Sequence, residues 1–338
     1  MTQRYRWISF IIYVYAILVI ISSDNLNFAQ FIGDGCMSLS AKELAQDPEF
    51  FTEILNYTRE IVSTYDENQS VCSVFASQQR WLMALAGFAL YCGGIDGEPP
   101  GIHANRFANY IVEHEIASHN TALSFIQEML ALGFLRYLPV TSDRRARPLQ
   151  PTEEAARQLA KWLSIHLSVL DRLDGGKRNA LFAKRPEFIG VLQPAISVGI
   201  IDSDDLRHPG ETFDLFTWAN SGGVIMDYLI SRVGMINPTT QKAIVGRIAF
   251  TDLCNRFLIS RTNAKRLMNK AIKMQSIGWT GSSGRSQLWL SDDFIQQYRN
   301  YQAEKFAIID AAWQSTLGLR RTRMPRAKLA FTSAVPSR

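Results

Sequence analysis

Apolar residues along this chain recur mostly at spacings of three and four, and strict alternation is rare, so the pattern predicts a mainly helical protein. Helices are predicted over 49–65 and 77–92, the second ended by Gly93-Gly94. The loop Gly97-Glu98-Pro99-Pro100-Gly101 must break any helix. Residues 104–114 form a short helix with Phe107 and Ile111 on one face. Ser118 suits the N-cap of the next helix, its hydroxyl meeting unpaired first-turn amides. That helix carries Ala122, Phe125, Ile126 and Met129 on one face, runs to about Leu132 and stops at Gly133. Phe134–Val140 is strand-like, and a turn over 141–147 leads through Pro148–Pro151 to a Thr152 cap. The helix after Thr152 has Glu153 and Glu154 in its first turn, where the helix dipole favours them. Leu159, Leu163, His166, Leu170 and Leu173 then alternate by four and three, which is a coiled-coil seam with one polar position. His166 reads as a hydrogen-bonded seam residue ahead of a pH switch.

The pattern repeats. Pro48-Glu49-Phe50 recurs as Pro186-Glu187-Phe188, Gly94 as Gly234, and Leu132-Gly133-Phe134 as Ile277-Gly278-Trp279, in the same order at offsets of 138, 140 and 145. Two copies of one unit of single-domain size are therefore expected. The join is Asp174-Gly175-Gly176-Lys177-Arg178, which has turn composition. In the second copy a helix is predicted over 222–233 and a helical stretch or stretches over 239–257. A helix capped by Ser260 is expected to run through Ser276 to a stop at Gly278, about a turn longer than its counterpart. A hairpin over 280–287 and a final helix capped at Ser291-Asp292-Asp293 follow, the latter with Phe294, Tyr298, Tyr301, Ile308 and Trp313.

Composition adds little until it is divided along the chain. The 338 residues are 47% hydrophobic and 20% charged, ordinary for a soluble globular protein of about two domains, which excludes disorder and collagen. The net charge of +5 hides an asymmetry: residues 37–173 carry 11 basic and 16 acidic side chains, whereas 174–338 carry 23 and 13. A basic second half points to a polyanionic partner. The tail from Gly318 holds six cations and no acid. It reads as a disordered segment that either adds phosphate affinity or only solubilises.

Cys36, Cys72, Cys92 and Cys254 never fall at CxxC spacing, so they read as thiols in a reducing compartment. His114 and His119 are five apart, out of alignment for one metal on one helix face. No phosphate-cradling glycine loop, nucleophile elbow or metal constellation occurs. No enzymatic activity, metal or cofactor is therefore expected. Residues 7–22 are apolar and follow Arg4 and Arg6, in the order of a signal anchor, yet are shorter than the ~20 residues of a usual span. Residues 1–36 read either as an upstream extension of a cytoplasmic chain or as a membrane anchor.

Two helices joined by a tight turn, the second amphipathic and capped by serine, follow helix-turn-helix grammar. The segment Asp143-Arg144-Arg145-Ala146-Arg147-Pro148-Leu149-Gln150-Pro151-Thr152-Glu153-Glu154-Ala155 resembles the wing of the multiple antibiotic resistance regulator (MarR) family. Asp143, Arg145, Leu149 and Thr152 keep that family's spacing, while Pro151 and Ala155 replace its leucine and glycine. The second copy resembles the family only through the duplication and keeps one wing arginine, Arg285. The resemblance implies winged helix-turn-helix units, dimerisation through terminal helices, a recognition helix in the major groove and a wing arginine along the minor groove. Here two such subunits are fused. The expected architecture is thus mainly α with small β-wings: tandem winged helix-turn-helix domains with long seam helices in a single-chain pseudo-dimer. Residues 37–173 form the first unit and 174–316 the second, followed by a basic tail, 317–338.

Double-stranded DNA is the expected partner. First-turn positions of a recognition helix face base edges and phosphates. The first copy offers Ser118, His119, Asn120, Thr121 and Ser124, short and nearly uncharged; asparagine can pair bidentately with adenine. The second offers Arg261, Thr262, Asn263, Lys265, Arg266, Asn269, Lys270 and Lys273, where each cation can meet guanine or phosphate. Arg144, Arg145, Arg147 and Arg285 are the wing candidates for the negative minor groove. The bland alternative for 261–273 is a solvated basic face.

The leading expectation is a cytoplasmic, nucleoid-associated transcriptional regulator with two unlike heads on an asymmetric site. A plasmid-type replication initiator, which also fuses two winged helices, and a protein-interaction scaffold are the alternatives. The aromatic residues of 76–91 and 213–228 read as core, and only the resemblance implies a pocket there for a small-molecule effector. Self-association through the seam helices is a further expectation.

Overall fold

The computed structural model describes residues 39–93, 101–138 and 148–316. The chain is mainly helical with small antiparallel sheets. The first unit contains α1 (Ala41–Gln46), α2 (Pro48–Glu67), α3 (Gln69–Val74), α4 (Gln78–Cys92), α5 (Ala104–Glu113), α6 (His119–Ala131), β1 (Leu135–Tyr137), β2 (Leu149–Pro151) and α7 (Glu153–Asp174). The second begins with α8 (Arg178–Lys184), a 3-10 turn at Pro186–Phe188, α9 (Ile189–Asp202), α10 (Asp204–Arg207), α11 (Glu211–Thr217) and α12 (Gly222–Ser231). It continues through β3 (Ile236–Asn237), β4 (Lys242–Arg247), α13 (Phe250–Arg256), α14 (Arg261–Lys273), β5 (Ile277–Trp279), β6 (Gln287–Ser291) and α15 (Asp292–Thr316).

One order of elements occurs twice: helix, strand, two helices, two strands, long helix. In the first unit the strand is reduced to a bridge between Ile102 and Leu149, so 102, β2 and β1 lie side by side. In the second, β4, β6 and β5 lie in the same order, with β3 added outside β4. The helical stretch expected over 239–257 is therefore corrected. Its first part is the strand β4, where Ala243, Ile244 and Val245 alternate buried and exposed, and only 250–256 is helical. β-branched residues pack well on a pleated surface, and a bulge between Ile244 and Gly246 bends the strand within its pairing to β6.

The expected extra turn of the second amphipathic helix is also corrected. Both α6 and α14 have 13 residues. Ser118 caps one and Ser260 the other, an offset of 142, and each hydroxyl accepts from the amide three residues on at 3.2 Å. Gly133 closes α6 with a left-handed backbone (φ 75°), and its counterpart is Gln275 (φ 57°), not Gly278. In both units the residue that follows sends its amide back five residues, from Phe134 to Met129 and from Ser276 to Ala271. Gly278 instead lies inside β5 under its cross-strand partner: a Cβ there would stand 2.3 Å from the Trp289 ring. The true offset is 142, and the 145 came from matching two glycines with different duties.

The two units share one continuous core. α2 of the first packs on α12 of the second, and α9 of the second packs on α4 of the first, a reciprocal exchange. α9 is apolar on nearly every side and is sandwiched between α4 and α15, which explains its composition. Phe50 and Tyr57 of α2 meet Phe306 of α15 edge to face at 5.8 and 5.5 Å. The joining segment is pinned rather than loose. Arg178 is 3% exposed and bridges Asp171, Asp174 and the fully buried Asp310 of α15.

α7 departs from the expected two-helix seam. Leu159, Leu163, His166 and Leu170 are buried as the heptad predicts, but Ile165, Leu167 and Val169 are buried too. The helix packs against α2, α8 and α15 together, so its leucine stripe is consumed within the chain. Among the described residues no helix is long and apolar enough to cross a membrane. The apolar segment 7–22 and the basic tail from residue 317 lie outside the described residues.

Candidate nucleic-acid interface

In the second unit, α13 and α14 meet through a tight turn in which Leu258 is left-handed (φ 50°) and the Ile259 amide returns to the Cys254 carbonyl. Ala264, Leu267, Met268 and Ala271 bury one face of α14. That anchoring leaves Arg261, Thr262, Lys265, Arg266, Asn269, Lys270 and Lys273 exposed. The Arg261 guanidinium donates to the Thr251 hydroxyl at 2.9 Å. None of the five cations is ion-paired to a carboxylate among the described residues. They are also free of the i, i+4 acids that would neutralise an ordinary solvated face.

The candidates on α14 do not all point one way. Asn263, Arg266 and Lys270 line a groove shared with Asp214 and Trp218 near α11, and Asn263 is half-buried. Thr262, Lys265 and Asn269 follow one another by three and four residues on the open side. Arg285 is exposed in the hairpin between β5 and β6.

The first unit repeats the scaffold with different chemistry. Ser118, Asn120, Thr121 and Ser124 are exposed on α6, and His119 is half-buried. The described part of α6 has no cation, and its Glu128 is held at 2.7 Å by Arg80 of α4. Arg144, Arg145 and Arg147, the wing candidates of this unit, lie outside the described residues. Before and after that segment, β1 and β2 pair antiparallel, with Arg136 on β1 opposite Gln150 on β2. No cluster of three or more metal-ligating side chains occurs among the described residues. Cys72, Cys92 and Cys254 are free thiols.

Sequence reasoning missed a second set of residues. A cavity of about 290 Å³ lies between the units, walled by Phe75, Trp81, Phe88 and Trp162. It falls at the aromatic stretches 76–91 and 213–228, and its polar groups are Asp227 of the second stretch together with Tyr57, Gln302 and Lys305 from α2 and α15. Lys305 of α15 is buried and donates to the Tyr57 hydroxyl at 2.9 Å. His166 Nδ1–H donates to the Trp162 carbonyl at 2.8 Å, so its Nε2 accepts from Tyr57, 3.2 Å away. Burial, together with the Lys305 charge, holds His166 well below the usual imidazole range, so it is a neutral structural residue. Asp227 of α12 accepts from the Tyr298 hydroxyl at 2.6 Å. A detectable signal was present: Asp227 is the one charged residue in the otherwise apolar Gly222–Ser231, and Lys305 falls on the stripe of Tyr298 and Tyr301.

With this geometry in hand, comparison with known proteins finds no match: no family model, no curated protein and no solved structure corresponds to the chain.

Proposed function

We propose that this protein is a sequence-specific, double-stranded DNA-binding transcriptional regulator built as a single-chain pseudo-dimer of two winged helix-turn-helix units. The observation that carries the reading is the set of five exposed cations of α14, none ion-paired to a carboxylate among the described residues, on the second helix of a helix-turn-helix. The repeated order of helix, strand, two helices and a strand pair supports the winged architecture, and the exchange of α2 and α9 between units supports the pseudo-dimer. Because α6 and α14 present unlike surfaces, the chain prefers an asymmetric site with half-sites about one helical turn apart.

Selection of bound sequences from a random DNA pool, followed by footprinting of the winning site, tests this. An asymmetric consensus with two unequal protected segments is expected. Absence of binding to any DNA at low salt, or equal protection of a perfect palindrome by one chain, overturns it. A replication initiator is the second reading, favoured by the fusion of two unlike heads in one chain. Genomic mapping separates them, since an initiator occupies one repeat array beside an origin and a regulator occupies scattered promoters.

A further inference from the structure

The cavity between the units combines an aromatic wall with two opposite charges that act on each other without closing into an ion pair. Lys305 is 6% exposed and spends one of its three donors on Tyr57. Among the described residues it makes no ion pair. Asp227 faces the same space, with one carboxylate oxygen committed to Tyr298. Gln302, 2% exposed and also lining the cavity, has an amide oxygen that meets no donor. A buried ion without a partner is costly, and so is a buried acceptor without a donor.

These groups state what would complete them. A neutral apolar molecule fills the space but leaves every polar group as it was. An anion answers Lys305 and sets a second negative charge near Asp227; a cation answers Asp227 and Gln302 and crowds Lys305. A molecule carrying both charges on adjacent atoms answers all three. The cavity size is at the small end of the ~300–1,000 Å³ of small-molecule sites, room for a single compact aromatic group against the Trp81–Trp162 pair, whose rings pack on each other with centroids 5.0 Å apart. We propose that this cavity binds a small aromatic zwitterion of the α-amino-acid type, its carboxylate on Lys305, its ammonium on Asp227 and the Gln302 carbonyl, and its ring among Trp81, Phe88 and Trp162. The charge state of the site agrees: burial brings Lys305 down to about 8 and lifts Asp227 to about 6, which leaves both ionised near neutral pH. The walls come from α4 and α7 of one unit and α12 and α15 of the other, so a bound molecule bridges the two heads. The inference gives a site and a chemical class to the effector expected from the sequence, and it does not depend on DNA binding.

Calorimetry and thermal shift on the full chain, without DNA, test it with four probes of one ring: tryptophan, tryptamine, indole-3-propionate and indole. Saturable binding of tryptophan, about tenfold or more tighter than either singly charged probe, is expected, since each charged hydrogen bond lost costs at least that much. Asp227→Asn should erase the advantage of tryptophan over indole-3-propionate, and Lys305→Met its advantage over tryptamine. Should Lys305→Met fail to fold, the probe series on the native chain together with Asp227→Asn still decides the matter. Equal affinity for tryptophan and indole, or no saturable binding of tryptophan, overturns the proposal.

Discussion

α6 and α14 are the same helix with two different surfaces. Both span 13 residues, both are capped by a serine hydroxyl on the third amide, and both end on a left-handed residue. At the offset of 142 their buried positions match in kind: Ala122 with Ala264, Phe125 with Leu267, Ile126 with Met268, Met129 with Ala271. The exposed positions do not. Ser124 stands opposite Arg266, Glu128 opposite Lys270 and Ala131 opposite Lys273, and the half-buried Leu123 falls opposite the exposed Lys265. A scaffold is held by what it buries and caps, so the outer face can change sign without disturbing it. The sheets teach the same lesson inside the core. The pair Arg136 and Gln150 in one unit is replaced by Gly278 and Trp289 in the other, a small residue making room for a large ring.

The largest expected effect separates the two outer faces. Replacing Lys265 and Arg266 together by glutamate should weaken DNA binding about 100-fold or more, since each such contact contributes ~1–3 kcal/mol and reversal adds repulsion. Asn120→Ala with Ser124→Ala should cost about tenfold or less and mainly relax sequence preference. Titrations with the selected site and with scrambled DNA measure both, and equal losses from the two heads would remove the asymmetry.

Next in size is the exchanged sheet pair. Gly278→Ala drives a methyl into the Trp289 ring and should cost about 1–3 kcal/mol. Combined with Trp289→Gln, which restores the polar chemistry of the first unit, the loss should fall well short of the sum of the single changes. Denaturant unfolding of the three variants measures it, and strict additivity would mean that the two residues do not compensate.

The caps should behave alike because their geometry is alike. Ser118→Ala and Ser260→Ala are each expected to cost about 1 kcal/mol, read from the same unfolding curves. The smallest effect concerns the helix ends. Gln275→Gly should be neutral or stabilise by a few tenths of a kcal/mol, since glycine takes the left-handed conformation without Cβ strain. Gly133→Ala should lower the melting temperature. A melting temperature that falls with Gln275→Gly would show that the side chain of Gln275 contributes more than its backbone costs.

Much of this was legible beforehand because it is local. The spacing of Ala122, Phe125, Ile126 and Met129, the serine before each helix and the acids after Thr152 act within one or two helical turns, and a local cause leaves a local pattern. The strand at 242–247 was missed because six residues with one alternation cannot outweigh neighbouring helical signals. The end of α14 was misplaced because a glutamine adopts the left-handed turn that glycine usually takes, which no composition rule marks. Of the candidate DNA contacts, the sequence named the residues on α14, but only the packing of α11 against α14 separates Asn263, Arg266 and Lys270 on one side from Lys265 and Asn269 on the other.

The sequence by itself therefore determined most of the capped helices and the unequal charge of α6 and α14, which follow from spacing along one helix. The tertiary structure alone decided the exchange of α2 and α9 between units, the burial of Arg178 against Asp310, and the cavity that gathers Tyr57, Asp227 and Lys305. Lys305 and Tyr57 are 248 residues apart. Their hydrogen bond depends on how two whole units close on each other, and packing of that range leaves no period in the chain.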